Sequence, residues 1–311
     1  MLSTTGPPHR PAWQNEFLQR HRLNKTYLAE SLKWFAPLTS VFAKHQNSTH
    51  RPILVALNGC QGSGKTTVVD FLCTHLAEVH AVHAVALSLD DFYLTVRQRR
   101  ALAASVHPLL ITRGVPGTHD MALLHQTLNA LLDTERREPV AIPRFNKAED
   151  DRYPPSHWDR INTPVQIVLL EGWCLGALPQ HSDLLLQPLN TLEQNEDPEG
   201  RWREYSNAIL DTEFRALYAR VDQWIMLQAP SFDCVFQWRQ EQERKLAASL
   251  PSQRTSTLMD DPALHRFIQH YERITRQCLS ALPERVNHLF TLTEQREVSA
   301  YQHRTDLDVL T

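Results

Sequence analysis

Seven of the nine glycines in this 311-residue chain fall in three short segments, a distribution that strongly constrains what the chain can fold into. The segments are Gly59-Cys-Gln-Gly-Ser-Gly-Lys-Thr66, Arg113-Gly-Val-Pro-Gly-Thr-His-Asp120 and Glu171-Gly-Trp-Cys-Leu-Gly176. Average glycine usage is roughly 7%, and this chain falls well below it. Glycine is needed where a backbone bends sharply or approaches a ligand closely, so a glycine-poor chain that clusters them is shaping a site. The first segment fits G-x-x-x-x-G-K-[ST], a loop whose successive N–H groups wrap the phosphates of a nucleotide.

The flanks supply the context this loop requires. Ile53 to Leu57 is a short apolar run that reads as a buried strand, and Val68, Val69, Leu72 and Leu76 recur at helical spacing after it. The helix N-terminus then adds partial positive charge where the phosphates would lie. In this reading Gly59, Gly62, Ser63, Gly64, Lys65, Thr66 and Thr67 form the nucleotide-binding set. Lys65 reaches the β- and γ-phosphates, and Thr66 offers a hydroxyl to Mg²⁺.

Strand-like and helical segments alternate through the rest of the chain. Val82–Leu89, Val140–Ile142, Val165–Leu170, Trp224–Leu227 and Leu289–Leu292 read as strands. Helices are expected through Met121–Leu131, with Thr118 as its cap, through Val235–Leu246 and through Leu264–Leu282. This order predicts an α/β fold, a P-loop NTPase-type parallel sheet flanked by helices. Phe17, Leu18, Leu28, Leu32 and Phe35 make the first fifty residues an N-terminal helical extension, with residues 51–311 as the domain that carries the P-loop.

Composition limits the partners. A net charge of −3 gives no electrostatic reason to expect nucleic acid. No apolar run approaches the 18 residues of a membrane span, and the first residues lack a secretory-signal pattern. The five cysteines are scattered, with no C-x-x-C pair, and read as reduced thiols. A cytoplasmic protein acting on a small molecule is the expectation; the oligomeric state stays open.

In a parallel sheet, ligands bind beyond the carboxyl ends of the strands. The second strand ends in Asp90 and Asp91, of which one can accept a proton and the other can help hold Mg²⁺ or substrate. The strand through Leu170 runs into Glu171, a position suited to Mg²⁺. Arg113 can fork a carboxylate or phosphate, with His119 a weaker candidate beside it. Arg239 and Arg244, on a charged helix, could close over phosphates.

The order of these segments resembles the D-glycerate 3-kinase family, relatives of phosphoribulokinase, uridine kinase and pantothenate kinase. The resemblance runs from about Ile53 onward. It rests on the glycine loop, Ser88-Leu-Asp-Asp-Phe-Tyr-Leu94, Arg113–Asp120, Pro143-Arg-Phe-Asn-Lys-Ala148 and Glu171–Gly176. Leu192-Glu193, Trp202-Arg203, Asn207, Trp238-Arg239 and Gln242-Glu243 add to it. It implies an ATP- and Mg²⁺-dependent kinase that phosphorylates a hydroxyl, with D-glycerate as the acceptor. Asp90 matches the base, Glu171 the residue near Mg²⁺ and Arg239 the lid arginine, so Asp90, Lys65 and Arg239 form the catalytic set. Thr66 and Glu171 are the metal set; Asp91, Tyr93, Arg113 and His119 are the substrate set. The family usually has Phe-Asp-Lys-Ser where this chain has Phe145-Asn146-Lys147-Ala148. The alternatives are another small acceptor (a nucleoside, a pantothenate-like molecule or another sugar acid) and a nucleotide-dependent switch.

Overall fold

A computed structural model describes residues 11–249 and 261–305, with the side chains of 242–249 excepted. Arg244 therefore lies outside the described side chains, as do residues 1–10. Three helices open the chain, α1 (Ala12–His21), α2 (Lys25–Trp34) and α3 (Ala36–Thr49). The central sheet follows, with β1 (Ile53–Gly59), β2 (Ala84–Ser88), β7 (Ile167–Gly172), β8 (Gln223–Gln228), β9 (His288–Leu292) and β10 (Val298–His303). Its order is β10-β9-β8-β1-β7-β2. Every pair is parallel except β9–β10, an antiparallel hairpin at one edge.

The sheet is covered on both faces, which explains its near-continuous apolar strands. Ile53, Val55 and Leu57 of β1, Ile167 and Leu169 of β7, and Ile225 and Leu227 of β8 join one core. Trp13, Phe17, Leu28, Leu38 and Phe42 of α1–α3 and Phe35 at the α2–α3 junction complete it, together with helix α4 (Lys65–His80). The alternate residues Leu54, Ala56, Val168, Leu170, Trp224 and Met226 join the opposite core, against α6 (Met121–Leu132) and α12 (Asp261–Ala281). The period-2 alternation of each strand thus divides it between two helical layers.

Several local expectations need correction. β3 (Val140–Ile142) forms but lies outside the main sheet, pairing only with β6 (Asp159–Ile161). Next to it β4 (Phe145–Asn146) and β5 (Asp151–Arg152) make a second small hairpin. The cap of α6 is Asp120, whose carboxylate accepts from the Leu123 N–H at 3.0 Å. Thr118 is buried, and its hydroxyl instead donates to the Val115 carbonyl at 2.7 Å. Helix α5 (Val96–Ser105) carries a full Thr95–Gln98 capping box. Helices α7 (Ser182–Leu186), α8 (Thr191–Glu196), α9 (Arg201–Ile209) and α10 (Arg215–Tyr218) link β7 to β8, and α11 (Asp233–Ser249) follows. Among the described residues no helix is long and apolar enough to cross a membrane.

Candidate active site

Three neighbouring strands release their chains at one edge of the sheet. The register sets Leu57 of β1 beside Glu171 of β7, and Glu171 beside Ser88 of β2. The glycine loop leaves β1, Asp90 lies in the short helical turn that directly follows β2, and Glu171 stays within β7 between them. Parallel pairing thus converges three distant sequence segments on one point.

The loop passes Gly62 at φ 79° and Gly64 at φ 91°, conformations that favour glycine. A side chain at Gly62 would also meet Trp238, whose Cβ lies 2.7 Å from the ideal Cβ position. The Gln61 amide and the Ser63 hydroxyl are buried without a protein partner. Orphaned polar groups around freed N–H groups are what an anion cradle offers. Lys65 Nζ donates to the Cys60 carbonyl at 3.1 Å, curled back on its own loop. The Thr66 hydroxyl donates to Glu171 Oε1 at 3.0 Å, so the two oxygens of the candidate metal set already adjoin. Glu171 is buried, and burial raises its carboxyl above the usual range, opposed chiefly by the Lys65 charge.

The cleft above them has a volume of about 420 Å³, within the range of small-molecule sites, roughly 300–1,000 Å³. Of the residues singled out from sequence, Gly62, Gly64, Lys65, Thr66, Thr67, Asp90, Asp91, Tyr93, Arg113, Glu171 and Arg239 all line it. Gly59, Ser63 and His119 do not. His119 lies behind the wall, buried and stacked on Tyr93 with ring centroids 4.6 Å apart. Both its ring nitrogens are without a partner, and burial pushes its pKa down to about 4.

The two adjacent aspartates have different surroundings. Asp91 accepts from Arg144 Nη1 at 2.8 Å and from the Phe145 N–H at 3.1 Å, which ties both oxygens to the β4 segment. Asp90 accepts from the Tyr93 hydroxyl at 2.9 Å and from Lys147 Nζ at 2.7 Å. Burial would raise the Asp90 carboxyl, but Lys147, Lys65 and the Tyr93 hydrogen bond outweigh it and hold it at about 2. Asp90 is therefore ionised at neutral pH.

Arg113 is held in an ion pair with Asp150 and lies over the Phe145 ring, 5.4 Å from its centroid. Asp150 is itself anchored by Arg99, a fully buried side chain. Arg99 donates to the carbonyls of Leu94, Ile111 and Asp150 at 3.2, 2.7 and 2.5 Å. Arg239 lies with its guanidinium carbon 5.8 Å from the Phe267 ring centroid.

Six side chains of the cleft are outside the set chosen from sequence: Gln61, Ser88, Lys147, Trp173, Phe267 and Tyr271. Lys147 belongs to a charged segment that also reads as a solvated loop. Phe267 and Tyr271 stand at i, i+4 on α12, a spacing equally expected of core. Tyr271 donates to the Arg113 carbonyl at 3.1 Å, and its ring occupies the space a side chain on Gly114 (φ 145°) would need. Asn146 is absent from the cleft wall. Its side-chain oxygen accepts from the N–H groups of Ala148 and Glu149 at 3.1 and 3.3 Å, closing the turn that carries Lys147. An aspartate could accept the same two bonds.

Comparison with known proteins gives relatives over most of the chain. An uncharacterised kinase of Schizosaccharomyces pombe, mug58, is 31% identical over 253 residues, 79% of this chain and 84% of the relative. The chloroplastic D-glycerate 3-kinase of Arabidopsis thaliana is 29% identical over 227 residues, 71% of this chain but only 46% of the plant protein. The solved structure of a D-glycerate 3-kinase from Cryptococcus neoformans superposes with a TM-score of 0.68, covering 86% of this chain and 99% of that one. At 24% identity it shows a common fold. No family model matches the chain.

Proposed function

This chain belongs to the P-loop kinase family shared by its fission-yeast and plant relatives, and within that family we propose that it transfers the γ-phosphoryl group of ATP to the 3-hydroxyl of D-glycerate. The observation that carries the acceptor is the surround of Asp90. An ionised carboxylate shares one cleft with the phosphate loop, and two cations, Lys147 and Arg113, stand on the same wall. A small acid with a primary hydroxyl needs those three groups together.

Phosphoryl transfer depends mainly on positioning and charge stabilisation. In this reading the loop N–H groups and Lys65 bind the β- and γ-phosphates, with Arg239 offsetting charge from the opposite side. Lys65 gives up the Cys60 carbonyl to do so. Arg113 and Lys147 bind the acceptor's carboxylate. Lys147 then leaves Asp90 freer to take the hydroxyl proton as the acceptor oxygen bonds to the γ-phosphorus and the bond to ADP breaks. The Thr66 hydroxyl and the Glu171 carboxylate are hard oxygen donors, and so fit Mg²⁺, an ion commonly held by one or two carboxylates plus phosphates. Bound there, Mg²⁺ would neutralise phosphate charge.

The cleft's buried aromatic residues favour a small acceptor over a nucleoside. Tyr93 is committed to Asp90, Tyr271 to the Arg113 carbonyl and Trp173 to the Gly114 carbonyl at 3.2 Å, so each supports a neighbour. The test is ADP release from Mg²⁺-ATP with D-glycerate beside nucleosides, pantothenate and other sugar acids. Strong stimulation by D-glycerate alone is expected. Stimulation by another compound would replace the acceptor, and none by any compound would remove the kinase reading in favour of a switch.

A further inference from the structure

The β4–β5 segment is tied to the end of β2 at two points, and the two ties belong to adjacent carboxylates. In the turn of the hairpin, Lys147 Nζ donates to Asp90 at 2.7 Å. Three residues earlier, Arg144 Nη1 donates to Asp91 Oδ2 at 2.8 Å, and the Phe145 N–H donates to Asp91 Oδ1 at 3.1 Å. Asp90 thus meets the tip of the segment through the ammonium of a long side chain. Asp91 holds the base of the same segment with both of its oxygens.

Arg144 stands where three pieces of the molecule meet. It lies between the end of β3 at Ile142 and the start of β4 at Phe145. β3 pairs with β6, where Ile142 faces Asp159, and β4 pairs with β5, where Phe145 faces Arg152. Neither ladder belongs to the main sheet. The Arg144 guanidinium joins them to the end of β2. Its Nε donates to Asp159 Oδ2 at 2.8 Å and its Nη2 lies 2.7 Å from the same oxygen, while Nη1 reaches Asp91. The Arg144 carbonyl accepts from the Tyr153 N–H at 2.9 Å, just past β5. The returning strand has ties of its own: Arg152 Nη2 donates to the Tyr93 carbonyl at 2.8 Å and to Asp120 Oδ2 at 3.1 Å. On the strand that leads into Lys147, the Arg144 fork supplies the charged tie.

A lysine ammonium is a point charge on a flexible four-carbon stem, without the built-in direction of a guanidinium. Where it acts is therefore decided by the backbone that carries it. A displacement of about 1 Å in a positioning group can cost roughly 10²-fold in rate. We propose that Arg144 is a positioning residue: its fork between Asp91 and Asp159 fixes the β4–β5 turn against the end of β2 and so sets the reach of Lys147 towards Asp90 and the acceptor's carboxylate. Asp91 is the anchor of that wall, in place of the substrate contact expected of it from sequence. The inference rests on the reading of Lys147 as an acceptor-binding group and deepens it. The Arg144 side chain is 36% exposed and the Asp91 side chain 18%, so solvent screens the pair. Such pairs add little to stability, and the loss of this one should be felt in placement more than in folding.

The test is a double-substitution cycle on the full chain, read as KM for D-glycerate, KM for ATP, kcat and melting temperature. Lys147→Met alone should raise KM for D-glycerate roughly tenfold or more, the loss of one charge-assisted contact. Arg144→Met should raise it several-fold, leave KM for ATP nearly unchanged and lower the melting temperature little. Residues that act through one another are non-additive, so the double variant should match Lys147→Met alone. A double variant in which the two effects multiply would overturn the proposal, as would an unchanged KM for D-glycerate in Arg144→Met. Asp91→Asn is an independent route to the same tie, because it keeps the shape of the side chain and an acceptor for the Phe145 N–H but removes the charge that Arg144 holds. It should reproduce the Arg144→Met pattern, and a wild-type KM for D-glycerate in Asp91→Asn would also overturn the proposal. Arg144→Lys, which keeps a charge for Asp91, should recover part of the loss. Wild-type protein with no D-glycerate-dependent ADP release would bring down the acceptor reading and this inference together. That result differs from normal wild-type turnover with an additive cycle, which would remove only the role of Arg144.

Discussion

The two walls of the cleft hold charge by different means. One wall hangs from strand ends. Lys65, Thr66 and Glu171 are placed by the loop after β1 and by the ladder of β7, and the backbone hydrogen bonds of a buried parallel sheet fix them. The other wall is carried by connections. Arg113 comes from the Arg113–Asp120 loop and Lys147 from the turn between β4 and β5, while Tyr271 comes from α12. The ladder of the main sheet does not reach them; a relay of side chains positions Arg113, with Arg99 holding Asp150 and Asp150 holding Arg113. The contrast is that one set of groups is placed by strand ends that parallel pairing brings together, whereas the opposite wall relies on long-range ion pairs between side chains.

That contrast can be broken at either wall. The largest effect is expected at Lys65. Lys65→Ala should lower turnover by roughly 10³-fold, the scale of losing one preorganised charge partner of the transition state, with little change in melting temperature. Steady-state rates and a thermal melt check both halves, and an unaffected rate would remove the strand-end wall from the chemistry. Arg99→Met should act on the opposite wall. It leaves three backbone carbonyls without their donor, at about 1–3 kcal/mol each, so the melting temperature should fall by several degrees. It should also raise KM for the acceptor several-fold while leaving KM for ATP nearly unchanged. Equal rises in both would mean that the two walls are one unit.

The smallest effect concerns pH and treats the molecule as a whole. Burial pushes His119 and His270 down to about 4 and His288 down to about 3. In the unfolded chain these rings protonate near pH 6.5, whereas in the folded chain they stay neutral until about pH 4. Stability should therefore be full above about pH 6.5 and fall steadily as pH drops towards 4. Asp90 works in the same sense at lower pH, since a carboxyl held at about 2 loses its stabilising contribution as pH falls below about 4. Melting temperatures measured from pH 7.5 to 4 check the sign; a flat profile between 6.5 and 4.5 would contradict it.

Legibility in the sequence follows the same division. The loop, Asp90 and Glu171 were readable because each directly follows an apolar strand, and the parallel-sheet rule says what strand ends do. The structure brings them to one cleft, while their chemical roles remain proposals. The other wall was harder to read, because Tyr271 and Phe267 repeat at a spacing that core helices share and Lys147 sits among unrelated charges. α5 gave no periodic signal, since its one buried residue is Arg99, a charge in the place of an apolar side chain. β10 was missed for a related reason: it is a largely exposed edge strand that pairs on one side only. The cap of α6 was misplaced by two residues because Thr118 and Asp120 are both good capping types, and only burial of Thr118 decides between them.

The most direct test of the account is Asp90→Asn beside wild type, with D-glycerate-dependent ADP release and ATP binding measured on the same preparations. The account predicts unchanged ATP binding and a fall in kcat of roughly 10² or more, the expected loss for a general base. A variant that turns over D-glycerate at the wild-type rate would contradict it and move proton transfer away from the end of β2.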